Sequence, residues 1–305
     1  MNTKQPCYGS DVLPRLACIY PQIFIKPGED KEALYKSIVL AGEDAPVHDL
    51  SHFRMNPKDS AVYEQTPAGE VLSVTLHERA DFECFIQIMA HRCKPALIPQ
   101  TQGASMLDGV INWTKIRDHQ AEFIERETAA GNPEPDWDTE FSAFIKDRKN
   151  YTDALIVLSA GPYSALPAKQ AGRSEEQWIE DSVTIRKYHE LNHYICRRMY
   201  PEKIAAIWDE LVADAIGLYA AYGTYDTELA ERFLGISKTI YTGGRLENYV
   251  TEEDPALKKQ KLDALASVIH PILCRFHDVI AANRGIPVFE MIPILEDLFT
   301  GEVSA

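Results

Sequence analysis

The sequence predicts an α+β protein, with a mixed N-terminal half that contains a small sheet and a mainly helical C-terminal half. Strand-like and helix-like patterns alternate up to about residue 150, whereas the apolar spacing is almost wholly helical from residue 174 onward. The best linker candidate is the polar stretch "NPEPDWDTE" at 132–140. We therefore predict an α+β region over residues 1–150 and a mainly helical region over residues 151–305.

Glycines, prolines and β-branched residues divide the N-terminal region into elements. In chain order we predict a short helix at 28–42, a strand at 69–78, a helix at 80–93, a strand end running into a loop at 94–105, and a helix at 106–131 that ends at glycine. An apolar strand follows at 152–161.

Capping signals mark the helices of the C-terminal region. Ser174 begins a helix that ends at Tyr200, because a residue before proline avoids the helical conformation. Pro201 fits the first turn of the next helix, which we expect to end at Gly223. The remaining predicted helices lie at 226–234, at 253–285 with a kink at Pro271, and at 286–299.

Composition and charge exclude several classes of protein. The 305 residues are 45% apolar and 25% charged, which is typical of a soluble globular protein. A formal net charge of −15 disfavours nucleic acid and anionic membranes as partners. The first 16 residues lack the apolar segment of a secretory signal, and the six cysteines are scattered. We therefore expect a cytoplasmic protein with reduced thiols and no membrane association.

The stretch "HELNH" at 189–193 contains a His-Glu-x-x-His pattern. On a helix, His189 and His193 lie one turn apart on the same face, where two imidazoles can bind one zinc ion. Glu190 points to the flank, where its carboxylate can take a proton from water on the metal. The pattern therefore predicts two zinc ligands and a general base.

The following helix offers the carboxylates that such a site still lacks. Glu210 lies beyond the Pro201 turn, and two helices joined by a tight turn run roughly antiparallel, so Glu210 can complete the ligand set. Asp214 lies four residues later on the same face, where a carboxylate can accept a hydrogen bond from a ligand imidazole. We therefore predict one Zn²⁺ bound by His189, His193 and Glu210, with Asp214 as the hydrogen-bond acceptor of a ligand imidazole.

This arrangement resembles that of the gluzincins, the thermolysin-like clan of zinc metallopeptidases. The resemblance covers residues 188–223. It implies a zincin-like fold of two domains with the site in the cleft, and a peptide or small amide as the substrate of a zinc-dependent hydrolysis. It also implies that the strand near 152–161 is an edge strand against which a peptide lies, whereas an apolar strand by itself indicates core.

Members of the clan use a tyrosine or histidine that follows the third ligand to stabilise the oxyanion. The segment "YTGGRLENYV" at 241–250 supplies Arg245 and Tyr249, four residues apart, which we take as the candidate catalytic donors. His270 and His277 are the rival donors.

Three alternatives stay open at this stage. Glu190-x-x-His193 is half of the signature of di-iron carboxylate oxidoreductases, but the sequence has no second Glu-x-x-His on another helix. A degenerate site would bind metal without catalysis, and the helical region would otherwise serve protein interaction alone. Metal analysis separates the zinc hydrolase, the di-iron oxidoreductase and the interaction protein, because they predict one zinc, two irons and no metal respectively.

Overall fold

A computed structural model describes residues 5–46, 48–201 and 206–298. It confirms the α+β class, with a small sheet in the N-terminal half and helices in the C-terminal half. The chain forms two compact units. The first comprises Met1–Glu64, Val71–Pro99 and Ser105–Val157, and the second comprises Gln65–Glu70, Gln100–Ala104 and Leu158–Ala305. The division into domains at 1–150 and 151–305 stays a prediction.

Five strands form one sheet in the order β1-β2-β3-β5-β4. Their bounds are β1 (Cys7–Tyr8), β2 (Ser60–Thr66), β3 (Gly69–Leu76), β4 (Ala104–Ile111) and β5 (Thr152–Ser159). β1 pairs antiparallel with β2, with Cys7 opposite Ala61. The four consecutive residues from Leu155 to Leu158 are fully buried, as expected of an interior strand.

The edge-strand expectation for the segment near 152–161 is wrong. β5 lies between β3 and β4, so both of its edges are already paired within the sheet. The expectation came from the resemblance to the peptidase clan, whereas the apolar pattern by itself indicates a core strand, in agreement with the burial of β5. Peptide addition along β5 is therefore excluded.

The first unit contains five helices: α1 (Val12–Ile19), α2 (Ala33–Tyr35), α3 (Arg79–Met89), α4 (Trp113–Ala129) and α5 (Trp137–Phe144). The predicted helix at 28–42 is a single turn, α2, that continues as a π-helical turn over Lys36–Leu40. α1 buries Val12, Leu13 and Leu16 in the core of this unit.

The single helix predicted at 106–131 is wrong over its first turns, which belong to β4. The boundary lies at Asn112, whose side chain accepts hydrogen bonds from the backbone N–H groups of Thr114 and Lys115 and so caps α4. The predicted linker at 132–140 also contains the start of a helix, because Asp136 caps α5 in the same way.

From Leu158 onward, the described residues of the second unit are mainly helical and include a two-stranded ribbon of β6 (Ile236–Ser237) and β7 (Ile240–Tyr241). Its helices are α6 (Ala168–Ala171), α7 (Glu175–Met199), α8 (Ala206–Tyr222), α9 (Thr227–Leu234), α10 (Pro255–Ala282) and α11 (Val288–Glu296). The two consecutive helices expected around Pro201 are therefore present. The predicted first turn of the second one falls mainly on residues 202–205, which lie outside the described residues.

By length and composition alone, α10 is the one helix within the described ranges that could cross a membrane. Its buried residues recur every three or four positions, at Leu262, Ala266, Ile269, Leu273 and Phe276. One stripe of the helix therefore packs into the protein.

Candidate metal centre

The helix α7 carries both histidines of the motif and is stabilised at each end. The Ser174 side chain accepts a hydrogen bond from the backbone N–H of Gln177, at 3.2 Å. Glutamates occupy the first turn and arginines the last turn, which complements the helix dipole. The helix runs unbroken through the motif, so His189 and His193 lie on one face, and both are buried.

A close approach of α7 and α8 brings the motif near the carboxylates of the next helix. At Gly217, a Cβ atom would lie 2.6 Å from the backbone oxygen of Ile185, which is closer than real Cβ contacts allow. Ile185 precedes His189 by one turn, and Gly217 follows Asp214 by three residues. Glycine at this position therefore sets the spacing of the two helices beside the site.

We expect Gly217→Ala to lower the free energy of unfolding by about 1–3 kcal/mol, because the added methyl group meets backbone that cannot move away. This cost exceeds the gain of about 1 kcal/mol that alanine offers in a helix. Gly161→Ala is the matched control, since a Cβ there meets nothing within 4 Å. Urea unfolding of both variants measures the difference, and equal stability would contradict the spacing role of Gly217.

Three side chains converge on one point between α7 and α8. The Nε2 atoms of His189 and His193 are 3.0 Å apart. The carboxylate of Glu210 places Oε2 3.5 Å from Nε2 of His189 and Oε1 3.3 Å from Nε2 of His193. One donor atom from each residue lies within 4.8 Å of the other two, so these residues can hold one metal ion.

Each histidine is hydrogen-bonded to a separate carboxylate through Nδ1, the ring nitrogen that faces away from the convergence point. Nδ1 of His189 lies 3.0 Å from Oδ1 of Asp214, and Nδ1 of His193 lies 2.8 Å from Oδ2 of Asp209. An ionised carboxylate only accepts hydrogen bonds, so each Nδ1 donates and each Nε2 faces the convergence point. This is the orientation in which imidazoles bind a metal.

In the absence of metal, His193 is protonated, and its Nε2–H points to the place where an ion would bind. Burial acts to lower the pKa of His193, but hydrogen bonds with Asp209 and Glu210 outweigh it and raise that pKa to about 10. Burial acts to raise the pKa of Glu210, yet the two histidines hold it at about 2. The Nε2–H of protonated His193 can therefore donate to Nε2 of His189, and a metal ion replaces this proton.

Asp214 is the centre of a buried hydrogen-bond network. Besides its bond with His189, Oδ1 accepts from the Tyr163 hydroxyl at 2.6 Å, and Oδ2 forms an ion pair with Arg245. Burial acts to raise the pKa of Asp214, but Arg245 and His189 hold it at about 2. The carboxylate is therefore an anion that orients His189. This contact gives Arg245 a positioning role, and its direct contact with a substrate stays a prediction.

Tyr249 lies beside the third ligand. Burial and the negative charge of Glu210, together with a hydrogen bond between the two side chains, raise the pKa of the Tyr249 hydroxyl. The hydroxyl therefore stays protonated, and its role as an oxyanion donor stays a prediction.

Glu190 is half-buried and lies next to His189 on α7. Within the described ranges, its carboxylate makes no hydrogen bond or ion pair, although its charge helps to raise the pKa of His193. It does not belong to the group of ligand atoms. A carboxylate near the imidazoles but outside the ligand set is available as a proton acceptor.

Two residues of the site escaped the sequence analysis. Asp209 directly precedes Glu210 in the sequence. It could have been predicted, because each of the two histidines needs its own carboxylate as a hydrogen-bond acceptor, and Asp209 lies on the helix that faces them. Tyr163 gave no local signal, since it lies in the loop after β5 and is 51 residues from Asp214. Among the predicted residues, the structure brings together His189, His193, Glu210, Asp214 and Arg245, to which it adds Asp209 and Tyr163.

The rival oxyanion donors are occupied elsewhere. Nδ1 of His270 lies 2.6 Å from the Glu231 carboxylate, and Nδ1 of His277 lies 2.9 Å from the backbone oxygen of Tyr225. Both histidines therefore have structural partners on and before α9.

A second group of potential ligands adjoins the first. Cys196, Asp209 and Glu296 bring their donor atoms within 4.8 Å of one another. The Cys196 thiol lies 3.5 Å from Oε1 of Glu296. Because Asp209 also accepts a hydrogen bond from His193, the two groups of potential ligands are joined through this contact.

Comparison with known proteins gives one family match. Residues 17–283 match the model of a protein family whose function is unknown. No curated protein matches the chain. No solved structure matches it either.

Proposed function

This chain belongs to DUF7005, a family of unknown function, and we propose that it is a zinc-dependent hydrolase that cleaves a peptide or amide bond. The observation that carries the proposal is the convergence of His189, His193 and Glu210, with Glu190 beside them but outside the ligand group. Two histidines, one glutamate and an adjacent uncoordinated carboxylate form the set that gluzincin-type metallopeptidases use. The proposed resemblance to that clan rests on this set.

The donor set fits a catalytic rather than a structural zinc site. Three protein ligands leave a fourth position open, whereas structural sites close all four with cysteine or histidine. The hydrogen bonds that the two imidazoles donate to Asp214 and Asp209 fix both rings in the orientation that metal binding needs. Bound zinc would supply Lewis acidity and lower the pKa of water at the open position.

The protein groups then divide the work of hydrolysis. Glu190 takes the proton of the attacking water and returns it to the leaving amine. Tyr249 donates a hydrogen bond to the oxygen on which negative charge develops. Asp214, held by Tyr163 and Arg245, keeps His189 in the orientation that this chemistry needs.

Location and partners follow from the same proposal. All six cysteines are free, which supports a reducing, cytoplasmic environment. The net charge of −15 disfavours nucleic acid and anionic membranes as partners. We infer that the partner of the site is a peptide or a small amide.

Metal analysis followed by cleavage of a peptide library tests the proposal. We expect one zinc per chain, cleavage that stops on chelation, and recovery when zinc is restored. Two irons per chain would favour the di-iron oxidoreductase. Zinc without cleavage of any peptide or amide would favour a degenerate site. Absence of metal would favour a non-catalytic protein whose helical region serves protein interaction.

We expect Asp209→Asn and Asp214→Asn each to weaken zinc binding by about 10–100-fold, because a carboxamide orients the ligand imidazole less well than a carboxylate. Asp214→Asn should also lower the free energy of unfolding, since Arg245 loses its ionic partner, whereas Asp209→Asn leaves that pair intact. Competition with a zinc-sensitive chelator measures the affinities. Unchanged affinity in both variants would contradict the orienting role.

A further inference from the structure

The first unit contains a half-open cleft of about 240 Å³. Its walls come from the π-helical turn at Lys36–Leu40, the end of α3 and the end of β4. The lining is mixed, with apolar side chains such as Val39, Ile88 and Val110 beside the polar side chain of Gln22. The volume lies below the range of about 300–1,000 Å³ that holds drug-sized ligands, so the cleft suits a smaller molecule.

Two arginines, Arg92 and Arg148, are the charged residues that line the cleft, and no carboxylate lines it among the described residues. Neither guanidinium makes a hydrogen bond or ion pair within the part of the chain that the structure describes. Other arginines of this unit do have carboxylate partners, in the pairs Arg54–Glu78, Arg79–Glu83, Arg117–Asp44 and Arg126–Glu127. In a chain with 46 acidic and 31 basic residues, two arginines without carboxylates at one cleft provide a local site for an anion.

The backbone around the cleft has several unusual conformations. Arg92 and Cys93 both have left-handed conformations, with φ of 55° and 61°, which non-glycine residues rarely adopt. Gly109, with φ of 75°, lies under Arg148, where a Cβ atom would be 2.7 Å from a guanidinium nitrogen. π-helical turns are rare and occur frequently at functional sites.

The rim of the cleft is apolar. Leu40 is 63% exposed and belongs to the lining, which leaves its side chain available to an apolar part of a ligand. Tyr35 and Tyr151 add aromatic surface to the walls. The site thus combines an apolar surface with two cationic groups.

We propose that this cleft binds a small amphipathic anion, whose carboxylate or phosphate meets Arg92 and Arg148 while its apolar body lies against Val39, Leu40 and Ile88. The proposal is independent of the metal centre, because all of the lining residues belong to the first unit.

Isothermal titration of the whole protein with octanoate, octyl phosphate and 1-octanol tests the proposal. We expect at least one of the two anions to bind at least about 10-fold more tightly than the neutral alcohol, because hydrogen bonds to charged groups contribute most here. The tighter of the two anions identifies a carboxylate or a phosphate ester as the ligand class. Absence of binding by both anions, or equal binding of the alcohol, would overturn the proposal.

Variants locate the binding. Arg92→Gln and Arg148→Gln should each weaken binding of the anion by about 10-fold. Leu40→Glu should do so as well, because it adds a negative charge at an exposed rim position. Arg126→Gln removes the same charge from an exposed helix position outside the cleft and should leave binding unchanged. Equal losses in Arg126→Gln and in the two cleft variants would show nonspecific attraction and overturn the assignment.

Discussion

Glu190→Gln is expected to lower hydrolytic turnover by at least about 10²–10⁴-fold while the protein keeps one zinc per chain. Glutamine preserves the size of the side chain but cannot accept the proton of the attacking water. Because Glu190 lies outside the group of ligand atoms, its replacement leaves His189, His193 and Glu210 in place. Turnover of the best library substrate and zinc content by mass spectrometry measure the two quantities.

The matched control is Glu176→Gln, an exposed glutamate in the first turn of the same helix. It should keep both turnover and zinc. Loss of zinc in Glu190→Gln would make Glu190 a ligand, as the di-iron alternative requires. Full turnover in Glu190→Gln would remove it from the mechanism.

His193→Ala is expected to abolish stoichiometric zinc, because it removes one of three protein ligands and leaves two that lie on different helices. His277→Ala is the control, since His277 binds the backbone oxygen of Tyr225 and not the metal centre. Zinc content after dialysis against metal-free buffer measures the effect. If His193→Ala keeps its zinc but Cys196→Ser loses it, the ion belongs to the group of Cys196, Asp209 and Glu296.

The helices around the motif could be predicted because their signals are local. Ser174 and Asp254 cap α7 and α10 with the side-chain hydrogen bonds that their positions suggest. The four-residue spacings of His189 with His193 and of Glu210 with Asp214 place each pair on one helix face. Together with the turn at Pro201, these spacings predicted that His189, His193 and Glu210, the three candidate ligands, would converge.

The parts that sequence reasoning missed depend on contacts between distant segments. Tyr163 reaches Asp214 from a loop whose position is set by β5, and nothing in its own neighbourhood indicates that contact. β4 was hidden inside a predicted helix, because its apolar residues also fit a helical spacing. The cleft of the first unit is formed by segments near residues 40, 90, 110 and 150, so no single window of sequence describes it.

The spread of the Asp214 network along the chain has a consequence for the order of events during synthesis. Arg245 follows His193 by 52 residues. At about 5–20 residues per second, the ribosome takes about 3–10 s to add that segment, during which the imidazoles exist without their full support. The buried ion pair of Asp214 is therefore completed only after the segment that contains Arg245 has been synthesised and has packed against α8.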